Sequence, residues 1–185
     1  MAASGPITPH NPTGSRSGVY RAARAGRVVR IARGIYMPSD GPPADWNLVE
    51  AATRRPEATV CLLSALAHYD LTDVIPERLD VAIPRGTRRP VTEQALTWHL
   101  FDGATFETER AEMRIPNTDL AIGIYSAERC IADAYRLRSR IGYEVARDAL
   151  KEWLRRGGKP GSLLKTAAAL PRSTAPIARA LEVLT

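Results

Sequence analysis

The run Gly41-Pro42-Pro43 constrains this chain more than any other stretch, because two prolines behind a glycine can neither extend a central strand nor sit inside a helix. It predicts a boundary, with one unit over residues 1–40 and another over 41–185. At 185 residues the chain has room for a single domain, or for a small one beside a medium one. Its 44% hydrophobic and 25% charged residues are those of a folded globular protein. No apolar run approaches the roughly 18 residues of a membrane span. The opening Met1-Ala2-Ala3-Ser4-Gly5-Pro6 has neither the basic nor the apolar region of a secretory signal, so a cytoplasmic location is expected.

Within the first unit, prolines 6, 9 and 12 and glycines 5 and 14 exclude a regular helix and predict an extended lead-in. Ser15 or Ser17 can then cap a short helix that runs to about Ala25 and stops at Gly26, with Val19, Ala22 and Ala23 as its inner face. The period changes after Gly26. Residues 27–31 are rich in β-branched side chains, residues 35–37 resume that character, and Ala32-Arg33-Gly34 between them reads as a hairpin turn.

Beyond the boundary, Asp45 can cap a helix carrying Trp46, Leu48, Val49, Ala51 and Ala52, which Pro56 ends; a second helix is expected over about 59–71. Strands are expected over 79–83, 95–101, 105–109, 113–115 and 120–124, at hairpin-like spacings. From Ser126 onward the pattern is helical, with Ser126, Gly142 and Ser162 as starts and residues 157–161 as a break. The expected fold class is therefore α+β, with a small, mostly antiparallel sheet flanked by helices.

The charge is unevenly placed. Six of the 26 basic residues, all arginines, precede Asp40, and no Asp or Glu occurs there; the remaining 20 balance the 20 acidic residues of the rest of the chain. The whole net charge of +6 thus lies ahead of Asp40, in residues 1–39, which points to an acidic partner such as nucleic acid. Arginine suits that role, since its planar fork matches phosphate and guanine. A short helix followed directly by a basic hairpin is the second half of a winged helix-turn-helix. In that arrangement Arg16, Ser17, Tyr20, Arg21 and Arg24 face the groove or flanking phosphates, and Arg27, Arg30 and Arg33 on the hairpin neutralise phosphate. The unit is a shortened one, because two further helices normally precede the recognition helix.

Catalytic and metal chemistry find little support. Ser64, His68, Asp70 and Asp73 are the nearest approach to a nucleophile with a base, but Ser64 sits in an apolar run without a nucleophile-elbow pattern, so a structural hydrogen-bonded pair is expected. His10, His68 and His99 have no ligand spacing, Cys61 and Cys130 stand far apart as small buried hydrophobes, and residues 157–161 lack the phosphate-loop pattern. No cofactor, no metal and no enzymatic activity are expected. Glu128 and Asp133 can share a helix edge, with Arg129, Arg136 and Arg138 nearby, and a solvated or arginine-paired face is expected there. Trp46, Trp98 and Trp153 are expected in the core or between units, and Leu163, Leu164, Leu170, Ile177, Leu181 and Leu184 pack either on the sheet or on another protein.

Four runs carry a resemblance. Gly26-Arg27-Val28-Val29-Arg30-Ile31-Ala32-Arg33-Gly34-Ile35-Tyr36-Met37-Pro38, Leu63-Ser64-Ala65-Leu66-Ala67-His68-Tyr69-Asp70-Leu71-Thr72, Val81-Ala82-Ile83-Pro84-Arg85-Gly86 and Ser126-Ala127-Glu128-Arg129-Cys130-Ile131-Ala132-Asp133 resemble, in order, segments of the AbiEi-type antitoxins of type IV toxin–antitoxin systems, described as transcriptional regulators of viral defence. The resemblance implies an N-terminal winged helix-turn-helix that binds inverted repeats upstream of its own gene, and a C-terminal domain over 41–185 that counters a nucleotidyltransferase-like toxin. It implies no catalysis. Whether the toxin is met directly, with little DNA binding, or countered without contact stays open.

Overall fold

The structure, a computed structural model, describes residues 6–8 and 16–184. Ser15 and His10 lie outside them. The expected N-terminal helix is α1 (Arg16–Arg24), and the hairpin is β1 (Val28–Ala32) with β2 (Ile35–Pro38), paired antiparallel. Gly26 and Gly34 both take positive φ, 68° and 76°, a conformation that glycine adopts without the Cβ clash other residues suffer. Gly26 thereby ends α1 and Gly34 closes the hairpin. A small cluster of Val19, Val28 and Tyr36, with Ile7, Ala22 and Ala23 against it, holds the helix to the hairpin. Ile7 also bridges the outer edge of β2: its N–H donates to the Tyr36 carbonyl at 2.8 Å and its carbonyl accepts from the Tyr36 N–H at 3.1 Å.

Asp45 caps α2 (Trp46–Arg54) as its sequence suggests, its carboxylate accepting from the N–H groups of Asn47 and Leu48. The next segment departs from expectation. Instead of one helix over 59–71, Thr59–Val60 form strand β3, and α3 begins only at Leu62 and ends at His68. The β-branched pair is completely enclosed, hydrogen-bonded between β4 (Leu79–Pro84) on one side and β7 (Ala121–Tyr125) on the other. Sheet pairing on both edges outweighs the helical pattern of the residues that follow.

β5 is Leu96–Phe101, β6 is Arg110–Arg114, and the sheet order is β5-β4-β3-β7-β6. β4 pairs with β5 in parallel, as does β3 with β7, whereas β3–β4 and β6–β7 are antiparallel. The sheet is mixed, which corrects the expectation of a mostly antiparallel one: residues 85–95 form a crossover and not a hairpin. The strand expected over 105–109 is also absent. Gly103–Thr105 form a single 3-10 turn capped by Asp102, Phe106 is buried, and Glu109 has φ 54°.

The helices α4 (Ala127–Arg136), α5 (Arg138–Ile141), α6 (Tyr143–Arg155), α7 (Pro160–Ala168) and α8 (Thr174–Leu184) complete a mixed α and β fold with eight α-helices among the described residues. Helix α7 starts at Pro160, two residues before the expected Ser162, since proline is suited to the first helical position. Helix α4 is the hub, in contact with α3, α5, α6, α7 and α8, and every residue from Arg129 to Tyr135 is buried. Leu163, Leu170, Ile177 and Leu181 are spent on this packing. Trp98 and Trp153 are buried as expected; Trp46 is 42% exposed and lines a crevice with Val29 and Met37 of the hairpin. Ile31, Ala32, Ile35 and Met37 belong to the same core as the sheet and α4, so the hairpin is joined to residues 41–184 by shared apolar packing.

The most demanding group in this core is Arg129, whose guanidinium has no exposed surface. It meets the Asp133 carboxylate at 2.8 Å and donates to the carbonyls of Thr105 and Thr108 at 2.8 and 3.0 Å. Its carbon lies 4.4 Å from the Tyr125 ring centroid and 5.8 Å from that of Phe101. Removing one member of such a pair leaves an uncompensated buried charge. Asp133→Ala is therefore expected to cost about 3–5 kcal/mol in a urea unfolding titration, and a loss under about 1 kcal/mol would show the pair to be dispensable.

Candidate nucleic-acid interface

The apolar residues of α1 set the orientation of its polar ones. With Val19 buried and Ala22 and Ala23 half-buried against the hairpin, Tyr20 is left 61% exposed, and Arg21 and Arg24 are also exposed. Ser17 is exposed on the same helix, and Arg16 opens it, its side chain lying outside the described residues. A nine-residue helix spans about 13 Å, enough for one edge of a DNA groove. On the hairpin, Arg27 is exposed just ahead of β1, Arg30 is exposed within it, and Arg33 is exposed at the turn. The eight residues expected to meet DNA thus fall on a single helix–hairpin unit. Among the described residues no ion pair holds Arg21, Arg24, Arg27 or the Arg33 guanidinium.

Arg30 is the exception. Its guanidinium meets the Glu93 carboxylate at 2.6 Å, with both side chains about half exposed, and the same carboxylate accepts the Arg33 N–H at 2.8 Å. Glu93 is itself positioned by a second acid. The completely buried Glu50 accepts from the N–H groups of Glu93 and Gln94, at 3.0 and 2.8 Å, and from the guanidinium of Arg54. Arg54 also donates to the Arg33 carbonyl at 3.1 Å. A buried carboxylate on α2 therefore fixes the crossover, and the crossover fixes the hairpin tip. Apart from the Glu50–Arg54 pair, four residues apart on α2, nothing in the sequence announces this clamp, whose other links span 21 to 63 residues.

The alternatives take structural positions. Ser64 accepts from the Asp80 N–H at 2.8 Å and donates to the Arg78 carbonyl; His68 is exposed, its ring against Tyr69, and neither it nor Asp70 or Asp73 engages Ser64. His99 is hydrogen-bonded to Asp80 at 2.8 Å. Asp133 pairs with Arg129 and Arg136, whereas Glu128 accepts from Ser162 and Arg138 donates to the Tyr135 carbonyl. Among the described residues no three of His, Cys, Asp and Glu gather as a metal site, and no helix is long and apolar enough to cross a membrane. A basic feature that the balanced charge of residues 40–185 concealed also emerges: Arg85, Arg136, Arg140 and Arg172 line one cleft with Asp102.

No family model matches the chain, and no curated protein matches it. Among solved structures it is similar to the crystal structure of the RV2827C protein from Mycobacterium tuberculosis, at 12% identity over 96% of this chain and 90% of that one, with a TM-score of 0.49. This likeness is too slight to assign a fold or a function.

Cys61 and Cys130 are completely buried, and burial pushes both thiols well above the ordinary thiol range, so neither supplies a thiolate near neutral pH. A thiol reagent such as dithiobis-nitrobenzoate is expected to label neither in the native protein at about pH 8, and both in denaturant. Rapid labelling of the native chain would contradict the enclosure of these residues.

Proposed function

We propose that this chain is an AbiEi-type antitoxin of a type IV toxin–antitoxin system. In this reading it counters a nucleotidyltransferase-like toxin and represses its own operon by binding inverted repeats upstream of its gene, without catalysis and without a cofactor. The observation that carries the DNA-binding part is the acid-free unit of α1, β1 and β2, with Arg21, Arg24, Arg27, Arg30 and Arg33 all exposed on it. Ile7 adds to it through an isolated bridge to Tyr36 on the outer edge of β2, where it braces the hairpin. In this reading α1 enters the major groove, with Tyr20, Arg21 and Arg24 toward base edges and nearby phosphates, while the hairpin follows the backbone beside it. Arg16 and Ser17 stand at the start of the helix, where backbone N–H groups also favour phosphate. The antitoxin part rests on the four sequence runs that resemble the family.

The test is a mobility shift with the DNA upstream of the gene, against scrambled DNA of equal length, over a salt series. Replacing Arg27, Arg30 and Arg33 together by alanine is expected to weaken binding to both DNAs and to flatten the plot of log affinity against log salt by about 0.9 for each phosphate no longer neutralised. Unchanged affinity and slope would remove the hairpin from the interface.

A further inference from the structure

A cleft opens where the parallel strands β4 and β5 end. Arg85 follows β4 and Asp102 follows β5, and the Arg85 N–H donates to the Phe101 carbonyl at 2.6 Å, which ties the two ends together. Crevices at the carboxyl ends of parallel strands are where open sheets place their ligands. Arg136 at the end of α4, Arg140 of α5 and Arg172 of the turn between α7 and α8 complete the wall around a volume of about 290 Å³. An adjoining hollow shares Arg136 and Arg172 and adds Arg138. Arg85, Arg138, Arg140 and Arg172 are exposed, so their guanidiniums are reached from solvent, and none of them forms an ion pair among the described residues.

The charge beneath the cleft supplies an independent observation. The buried Asp133 carboxylate is shared by two guanidiniums, that of Arg129 at 2.8 Å and that of Arg136 at 2.6 Å, so this group of three carries one positive charge more than it neutralises. Both guanidiniums lie over the ring of Phe101, a residue of the cleft wall, at 5.8 and 5.7 Å from its centroid. Arg129 is sealed, whereas Arg136 keeps 21% of its side chain exposed and lines the cleft, with Nε and Nη2 held by Asp133. A largely buried cation short of a counter-ion is costly, and an anion in the cleft meets it on its open side. Arg85, Arg138, Arg140 and Arg172 add four charges, and Asp102, whose carboxylate accepts from the Ala104 N–H at 3.0 Å, removes one. Four positive charges remain, and a single phosphate group carries about two negative ones at most.

We propose that this cleft binds an oligophosphate, a chain of two or more phosphates, either free or as the tail of a nucleotide. Arg85, Arg140 and Arg172 pair with its oxygens from the rim, and Arg136 supplies the uncompensated charge beneath them. Guanidinium forks match the paired oxygens of each phosphate. An enclosed hollow of this size takes a short chain, whereas a nucleic-acid backbone needs an extended track of cations like that of α1 and the hairpin. This inference does not depend on the DNA-binding reading.

Calorimetric titration of the full chain in magnesium-free buffer tests it with three probes: inorganic tripolyphosphate, adenosine triphosphate and orthophosphate. Saturable binding of tripolyphosphate or of the nucleotide at one site is expected, with orthophosphate at least about tenfold weaker; the tighter of the first two shows whether the chain is taken free or on a nucleotide. Arg140→Ala and Arg172→Ala remove exposed side chains without ion pairs, so each is expected to fold as the parent does and to weaken binding on the order of tenfold. Replacing Arg27, Arg30 and Arg33 together by alanine is expected to leave it unchanged. Four results would each overturn the proposal: no saturable binding, orthophosphate that binds as tightly, parental affinity in both cleft variants, or affinity lost with the hairpin arginines. Cleft variants that bind duplex DNA more weakly, in a chain that takes up no tripolyphosphate, would overturn it too, by making the cleft a nucleic-acid contact.

Discussion

A guanidinium enclosed on every side can persist only if the fold is arranged around it, and Arg129 shows how much arrangement that takes. The turn over residues 102–110 exists in its present form because two of its carbonyls, of Thr105 and Thr108, face the buried charge. Tyr125 and Phe101 come from different strands, and their rings stack 5.7 Å apart at an interplanar angle of 9°, with the guanidinium over both. Cation–π attraction and hydrogen bonding here substitute for hydration. Asp133, one turn along α4, completes the neutralisation and passes a second ion pair to Arg136. One side chain thus ties together the sheet's end, an irregular turn and the central helix.

Much of this was legible in advance, and the reasons differ from element to element. The start of α2 is a local affair between Asp45 and the next turn, as is that of α4 at Ser126, whose hydroxyl accepts from the Arg129 N–H. The hairpin too is local, with Gly26 and Gly34 at the positions of positive φ. Strand β3 was not legible because a two-residue strand is defined by neighbours 21 to 64 positions away, and its apolar content also reads as the beginning of a helix. Residues 105–109 alternate like a strand but serve a buried charge instead of a ladder. The arginines of α1 and the hairpin could be picked out because their segment contains no acid; the cleft lined by Arg85, Arg136, Arg140 and Arg172 could not, since balanced totals say nothing about segregation on a surface.

The position of the N-terminal unit follows from burial of a different acid. Glu50 has no exposed surface and accepts from two successive backbone N–H groups of the crossover, much as a capping residue does at a helix start. Gln94 then donates to the Ile31 carbonyl of β1, and Asn47 accepts from the Ala95 N–H. The hairpin is therefore docked through polar contacts as well as through Ile31, Ile35 and Met37, and the breaker at residues 41–43 bends the chain without separating the two sides of it.

Glu93 gives this docking a thermodynamic side. It already serves as the counter-ion of Arg30, so any polyanion that recruits that guanidinium exchanges one ion pair for another and does not simply displace dissolved salt. By linkage the exchange is reciprocal: whatever loosens the crossover from Arg30 makes the arginine more available, and whatever captures the arginine loosens the crossover. Within the basic unit, Arg30 is the position at which occupancy of the surface and the set of the underlying fold are one equilibrium.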